Sequence, residues 1–161
     1  MHRHFNDRIT AALLLVVTTL SGLPSAQAEG GMRYAVTPAS PAYLQECAAC
    51  HIAYPPSMLP AASWQRLMSN LPRHFGTDAS LDAATAQEIS AWLRRNADTR
   101  QGLTAPPEDR ITRSAWFLRK HDEVPADTWK RASIKSAANC SACHSRAPQG
   151  DFDEDHVRIP R

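Results

Sequence analysis

Apolar side chains recur at helical spacing along much of this chain, and no segment shows the strict alternation that is typical of a β-strand. Residues 60–71 are predicted to form a helix, whose apolar face consists of Trp64, Leu67, Met68 and Leu71. A longer helix is predicted over residues 81–96, with Ser80 as its N-cap. Asp82 would lie favourably in its first turn, and the side that carries Trp92 should be buried. The pattern therefore predicts a mostly α fold.

Shorter helical segments and one linker divide the chain further. Three short helices are predicted: one starts at Tyr43 and carries residues 47–51, and the others lie at residues 113–120 and 129–138. Residues 99–110 contain a glycine and two adjacent prolines and are interpreted as a linker. The mature chain is thus predicted to form two small units, residues 29–98 and residues 111–161, of which the second is irregular apart from its short helices.

Residues 1–28 are predicted to be a signal peptide that is cleaved. A basic start is followed by the uncharged residues 9–23 and by Ala26-Gln27-Ala28, which fits the small-x-small cleavage rule, so the mature chain should begin at Glu29. The alternative is an uncleaved membrane anchor, but the uncharged stretch is short for a bilayer, and the helix-breaking Gly22 and Pro24 lie at its end. We expect export to a bacterial periplasm and no stable membrane insertion after cleavage.

Composition and charge narrow the function classes. The 161 residues suffice for one or two small domains, and a net charge of +2 is too small for the electrostatic footprint of a nucleic-acid-binding protein. Basic side chains are concentrated in residues 110–146, and acidic ones in residues 151–155. These regions are either solvated surface, or they neutralise the carboxylates of a cofactor or dock a charged partner.

All four cysteines belong to C-x-x-C-H pentapeptides, which are Cys47-Ala48-Ala49-Cys50-His51 and Cys140-Ser141-Ala142-Cys143-His144. This pattern is the attachment signature of c-type haem. The two thiols form thioethers with the haem vinyl groups, and the histidine that follows them ligates the iron. The sequence therefore predicts two covalently bound haem c groups, attached through Cys47, Cys50, Cys140 and Cys143, with His51 and His144 as iron ligands.

Other uses of paired cysteines fit less well. A structural zinc site needs two C-x-x-C elements closer together than these, and a thioredoxin-like dithiol needs a βαβ setting that the pattern lacks. Two disulfides are conceivable in an exported protein, but closing such short loops gains little entropy. None of these alternatives requires a histidine after each pair.

A second axial ligand for each iron is sought among the remaining histidines and methionines. The mature chain offers His74, His121, His156, Met32, Met58 and Met68. His74 and His121 are favoured, because His156 lies among acidic residues, and the methionines are more simply explained as core residues. Two histidines on one iron would hold its reduction potential below that of a histidine–methionine pair.

The first unit resembles a class I cytochrome c, with an early motif helix, a distal ligand on a loop and a closing helix. It departs from that class in having His74 where a methionine is usual, which implies a low-potential variant.

Residues 43–161 are similar to the bacterial dihaem cytochrome c family, whose members act with an oxygen-binding monohaem cytochrome c and a membrane cytochrome b. The segments that carry this resemblance are Glu46–His51 with Ala53–Pro56, His74–Gly76, Trp116–His121, Lys135-Ser136 with Ala138–Cys140, and Val157–Arg161. The resemblance implies bis-histidine ligation of both haems, by His51 with His74 and by His144 with His121. It also implies a single-electron carrier that works between redox proteins.

Two other functions stay open at this point. The first is a small dihaem enzyme, a peroxidase or a reductase of small oxides, in which one iron has a labile distal ligand. The second is a sensor or scaffold in which a gas displaces His121. Both require an iron position that is open or easily opened, whereas each haem here has a candidate distal histidine.

Overall fold

A computed structural model describes residues 40–100 and 104–161, and the predicted signal peptide and cleavage site lie outside them. In these residues the chain forms four α-helices joined by short 3-10 helices, and β-pairing is limited to isolated bridges. The prediction of a mostly α fold is confirmed. No helix in the described ranges combines the length and the apolar character that a bilayer crossing requires.

The α-helices are α1 (Pro41–Cys47), α2 (Ala61–Met68), α3 (Ala83–Asn96) and α4 (Ala115–Lys120). The 3-10 helices are Pro56–Met58, Leu71–Arg73, Pro107–Asp109, Ile111–Arg113, Thr128–Lys130, Cys140–Ala142, Ala147–Gln149 and Glu154–His156. Helix α2 ends before the predicted residue 71, because the backbone leaves the helical region at Asn70 (φ −132°). Leu71 therefore begins a new 3-10 turn.

The start of α3 differs from the prediction. Asp82 is the N-cap, and its carboxylate accepts hydrogen bonds from the backbone N–H groups of Ala84 and Thr85, both at 3.0 Å. Ser80 is instead held by Asp78, whose carboxylate accepts bonds from both its N–H and its hydroxyl. The prediction of Ser80 as N-cap is wrong, because the carboxylate two residues later supplies a stronger acceptor for the free N–H groups of the first turn.

Helices α1, α2 and α3 enclose a core of buried side chains in the first unit. Its members are Tyr43, Leu59, Trp64, Ile89, Leu93 and Ala97. Trp92 is half-buried on the edge of this core, with its ring 4.9 Å from that of Tyr43. The predicted burial of the apolar faces of α2 and α3 is therefore confirmed, although the deepest positions on α3 are Ile89 and Leu93 rather than Trp92.

The second unit has less regular structure. Helix α4 begins after Ser114, whose hydroxyl accepts from the N–H of Phe117. The helix predicted over residues 129–138 is wrong beyond Lys130. Lys135 takes a positive φ of 69°, and the side chains of nearby Ser136 and Asn139 bond to the local backbone, which competes with continued helix.

Several contacts join the regions on either side of the predicted linker. The Arg66 guanidinium grips the Asp109 carboxylate with two hydrogen bonds of 2.8 and 2.6 Å, and it holds the pKa of that carboxyl below its usual range. Ile111 packs on the edge of the first core. The division into two units remains a prediction, and the two regions touch directly.

Candidate haem-binding sites

The first motif follows directly from α1. Cys47 is the last residue of the helix, and residues 48–50 form a turn that brings His51 to the surface. The Nδ1 atom of His51 lies 2.7 Å from the carbonyl oxygen of Ile52. A ring nitrogen that close to a carbonyl carries the proton, so the lone pair is on Nε2, the nitrogen available to a metal.

His74 is presented to His51 by a tight loop. It directly follows the 3-10 helix Leu71–Arg73, and the next two residues, Phe75 (φ 50°) and Gly76 (φ 97°), both take positive φ values. The N–H of Thr77 donates to the carbonyl of His74 and closes this loop. The ring centroids of His51 and His74 lie 6.2 Å apart, with 29° between their planes.

The second motif begins with a single 3-10 turn, Cys140–Ala142, and continues to His144, whose N–H donates to the carbonyl of Cys140 at 2.8 Å. The carboxyl-terminal segment clasps this turn, because the N–H of Arg158 donates to the carbonyl of Cys143 and His144 pairs with Val157 in a β-bridge. These two contacts fix the end of the second motif.

His121 follows the last residue of α4. Its Nδ1 atom lies 2.9 Å from the carbonyl oxygen of Phe117, so this ring also keeps Nε2 free. The Phe117 ring stacks on it at 4.0 Å, and the Trp129 ring lies 5.8 Å away. The ring centroids of His121 and His144 are 6.1 Å apart, and their planes meet at 74°.

Both ring pairs have the spacing that a shared metal would require. Metal–imidazole bonds are about 2 Å long and a ring nitrogen lies about 1 Å from its ring centre, so two imidazoles on one metal have centroids about 6 Å apart. Between His121 and His144 the chain leaves a cavity of about 400 Å³, with mainly apolar walls that include Trp116, Val124, Phe152 and Ile159. The residues present therefore fit a large apolar group with a metal at its centre.

The electrostatics of the sites favour neutral ligands. Burial lowers the pKa of His74, and the neighbouring His51 and Arg110 lower it further. Burial likewise lowers the pKa of His144, with His121 acting in the same direction and Asp151 against it. Both imidazoles therefore stay unprotonated near neutral pH, the state in which they can ligate iron.

The four cysteines form no disulfide bonds, and three of them, all but the exposed Cys50, are half-buried. The alternative of two disulfides therefore finds no support in the structure. Burial raises the pKa of Cys47 to about 11 and that of Cys140 to about 11. Thiols of this kind are chiefly protonated at neutral pH and resist spontaneous oxidation.

Of the other candidate axial ligands, Met58 lines the cavity of the second motif, whereas His156 and Met68 make other contacts. The Nε2 atom of His156 is 2.9 Å from the Arg146 guanidinium, and its Nδ1 atom is 3.1 Å from the Asp151 carboxylate. Met68 packs on the first core, and Met32 lies outside the described residues.

Two residues contact the sites in ways that the sequence did not predict: Met58 was set aside as a core residue, and Tyr54 was noted only as part of the family resemblance. Met58 is buried and lines the cavity of the second motif, although it belongs to the first unit. Tyr54 stacks on His51 and bonds to the backbone before the second motif. Contacts between residues so far apart in the chain leave no local signal.

Comparison with known proteins decides the family. The family model "Dihaem cytochrome c" matches residues 43–152, a range that includes both motifs, His74 and His121. The chain belongs to the dihaem cytochrome c family. The predicted resemblance is thus confirmed, and with it the two covalently bound haem c groups and the general class of electron-transfer cytochrome.

Solved structures of dihaem cytochromes c agree with this assignment. The crystal structure of DHC purified from Rhodobacter sphaeroides is 46% identical, covering 70% of this chain and 96% of its own, with a TM-score of 0.62. The X-ray structure of a dihaem cytochrome c from Shewanella baltica is 40% identical, covering 74% and 92%, with a TM-score of 0.66. A further dihaem cytochrome c structure from Rhodobacter sphaeroides is 42% identical, covering 72% and 98%, with a TM-score of 0.64. No curated protein matches the chain.

Proposed function

We propose that this dihaem cytochrome c is a periplasmic, low-potential carrier of single electrons between redox proteins. The observation that carries the proposal is the pair of facing imidazoles at each motif, 6.2 Å apart at the first and 6.1 Å apart at the second. Two imidazoles on one iron occupy both axial positions and leave no position for a substrate. An electron carrier needs no open axial position on the iron, whereas a peroxidase or a reductase of small oxides does.

The residue roles follow from this arrangement. Cys47 and Cys50 hold the first haem, and Cys140 and Cys143 hold the second, through thioether bonds. The axial pairs are His51 with His74 and His144 with His121. This pairing is supported by the ring distances, since each motif histidine faces one other histidine across the width of a bis-imidazole metal site.

The protein also provides what a low-potential carrier requires. A haem iron held by two imidazoles takes up and releases one electron at a potential lower than a histidine–methionine pair gives. The backbone carbonyls of Ile52 and Phe117 each accept from a ligand imidazole and fix its orientation. One ligand of each site is therefore held in place before and after each electron transfer.

The proposed location and partners rest on the sequence. Residues 1–28 have the pattern of a cleaved signal peptide, and the family resemblance implies an oxygen-binding monohaem cytochrome c and a membrane cytochrome b as redox partners. Protein recovered from a periplasmic fraction should have Glu29 as its first residue. A longer amino terminus together with membrane association would contradict this part of the proposal.

Spectra of the loaded protein test the proposed function. Both haems should be low-spin in the oxidised state, and the reduced protein should bind carbon monoxide slowly or not at all, because displacing a fixed histidine is unfavourable. A large high-spin fraction, or rapid binding of carbon monoxide, would favour a dihaem enzyme instead.

Single substitutions test the axial pairs. His74→Ala and His121→Ala should each turn one haem, about half of the total, to high spin, since each removes one of two axial ligands. His156→Ala is the matched control and should leave both haems low-spin. If either His74→Ala or His121→Ala keeps a fully low-spin spectrum, the proposed ligand at that position is wrong.

A further inference from the structure

Tyr54 lies between the two motifs in space. It follows the first motif by three residues, and its ring stacks on the ring of His51, with centroids 4.8 Å apart and 28° between the planes. The side chain is half-buried. The aromatic face of Tyr54 thus supports the imidazole that follows the first cysteine pair.

The hydroxyl of the same side chain reaches the other unit. It donates a 2.6 Å hydrogen bond to the carbonyl oxygen of Ala138, two residues before Cys140. The Ala138 peptide is itself held, because its N–H donates to the hydroxyl of Ser136 at 3.1 Å. One tyrosine therefore contacts the iron-ligating end of the first motif and the chain entering the second.

Tyr54 is also fixed from its own side. Its carbonyl oxygen accepts a 2.7 Å hydrogen bond from the hydroxyl of Tyr43, which is 4% exposed and belongs to the first core. Two prolines follow it and restrict the backbone. Tyr54 is therefore held by the ring of His51, the carbonyl of Ala138 and the hydroxyl of Tyr43. These contacts couple the position of the second motif to that of the first core.

We propose that Tyr54 is a positioning residue that sets the distance and orientation between the two haems. This inference rests on the proposed ligation of the first haem by His51. Electron transfer between two cofactors slows steeply as their separation grows, so a hydrogen bond that fixes the two attachment segments relative to each other controls exchange between the haems.

The ion pair between α2 and the predicted linker does not have this role. Arg66 on α2 grips Asp109 in the predicted linker, but neither residue contacts a motif cysteine or an axial histidine in the described contacts, and the Arg66 side chain is half exposed. It ties the linker to α2, whereas Tyr54 ties one haem ligand to the other haem's attachment segment.

Tyr54→Phe in the protein with both haems bound tests the proposal, because it removes the hydroxyl and keeps the ring. Two quantities are measured: the magnetic interaction between the two oxidised irons by electron paramagnetic resonance, and the rate at which an electron placed on one haem by flash reduction equilibrates with the other. We expect a weaker interaction and a several-fold slower rate, with both haems still low-spin.

Tyr43→Phe is the matched control. It removes the same group and a hydrogen bond to a backbone carbonyl, but within the first unit. It should lower thermal stability and, because it keeps the bond between Tyr54 and Ala138, change the interaction between the irons less than Tyr54→Phe does. If Tyr54→Phe leaves both measurements unchanged, or if Tyr43→Phe alters them as much, the proposal is overturned.

The unmodified protein separates this failure from failure of the proposed function. If its haems are not both low-spin, the axial pairs are wrong and the proposed function fails. If they are low-spin and Tyr54→Phe behaves like the unmodified protein, only the role of Tyr54 fails.

Discussion

The two haem units are stabilised in different ways. The first has a core of six buried side chains packed between three α-helices, and its motif lies at the edge of that core with His51 exposed. The second has one short α-helix, few large buried side chains, chiefly Phe117 and Ile134, and a cavity of about 400 Å³ beside its motif. In the first unit the protein forms the core and the haem adjoins it, whereas in the second the haem itself completes the core.

The two units differ in which imidazole of the proposed axial pair is hydrogen-bonded to the backbone. In the first, the motif histidine His51 bonds to a backbone carbonyl, and in the second the distal histidine His121 does. Within the described residues, the Nδ1 atoms of their partners, His74 and His144, are buried without a hydrogen-bond partner. With the proposed axial pairs, each iron would have one imidazole of fixed orientation, on the motif side in the first unit and on the opposite side in the second.

The largest expected effect comes from removing the haem attachments one unit at a time. Cys140→Ala with Cys143→Ala should unfold most of residues 111–161, because the cavity then lacks its apolar occupant, while α2 and α3 keep their packing. Cys47→Ala with Cys50→Ala should leave more structure, since the first core consists of side chains. Limited proteolysis with mass spectrometry and far-ultraviolet circular dichroism measure the difference. If both double substitutions unfold the protein equally, the two units do not differ in how much they depend on haem.

A second comparison separates core packing from haem packing. Leu93→Ala in the first core and Phe117→Ala in the second unit should each lower the free energy of unfolding by about 2–5 kcal/mol. Only Phe117→Ala should also change a haem spectrum, because this ring stacks on His121 at 4.0 Å. Denaturant unfolding and optical spectra of both variants test this, and a changed haem spectrum in Leu93→Ala would count against it.

A third test needs no substitution. The ring planes of the axial pairs meet at 29° in the first unit and at 74° in the second. Nearly parallel imidazoles split the iron d orbitals that overlap with them, and nearly perpendicular imidazoles leave those orbitals close in energy. We expect one rhombic low-spin signal and one strongly anisotropic signal by electron paramagnetic resonance. Two signals of the same type would show that the ring planes do not differ in the loaded protein.

The smallest effect concerns charge at the first site. The Arg110 guanidinium lies 4.2 Å above the Phe75 ring and lowers the pKa of His74. Removing a positive charge there favours the oxidised iron, so Arg110→Gln should lower the first haem's reduction potential by less than about 60 mV, the value of a tenfold change in a one-electron equilibrium. Arg113→Gln is the control, since Arg110 and Arg113 both form an ion pair with Glu108. A rise in potential for Arg110→Gln would contradict the electrostatic argument.

The sequence predicted the features that depend on local pattern. The two motifs, the mostly α class and the buried faces of α2 and α3 all follow from short-range spacing. The same reasoning failed at Ser80, where two nearby acceptors compete for one helix start, and beyond Lys130, where side chains bond to the backbone and one residue takes a positive φ.

Features that join distant parts of the chain could not be predicted. His74 and His121 were favoured by elimination and resemblance, but the orientation of their rings depends on the loop after His74 and on the Phe117 carbonyl. The bond from Tyr54 to Ala138 joins residues far apart in the chain and has no sequence signature. Such contacts depend on how the units pack, which periodicity does not encode.

The position of buried Met58 means that the carboxyl-terminal half cannot be separated from the amino-terminal half without loss. Because this residue, from the amino-terminal half, forms part of the wall around the second haem, a fragment that starts at Ile111 would expose one side of its porphyrin to water. A derivative that keeps only the second haem is therefore better made by silencing the first attachment site than by cutting the gene, and chimaeras that exchange the carboxyl-terminal half should carry a matching residue at position 58.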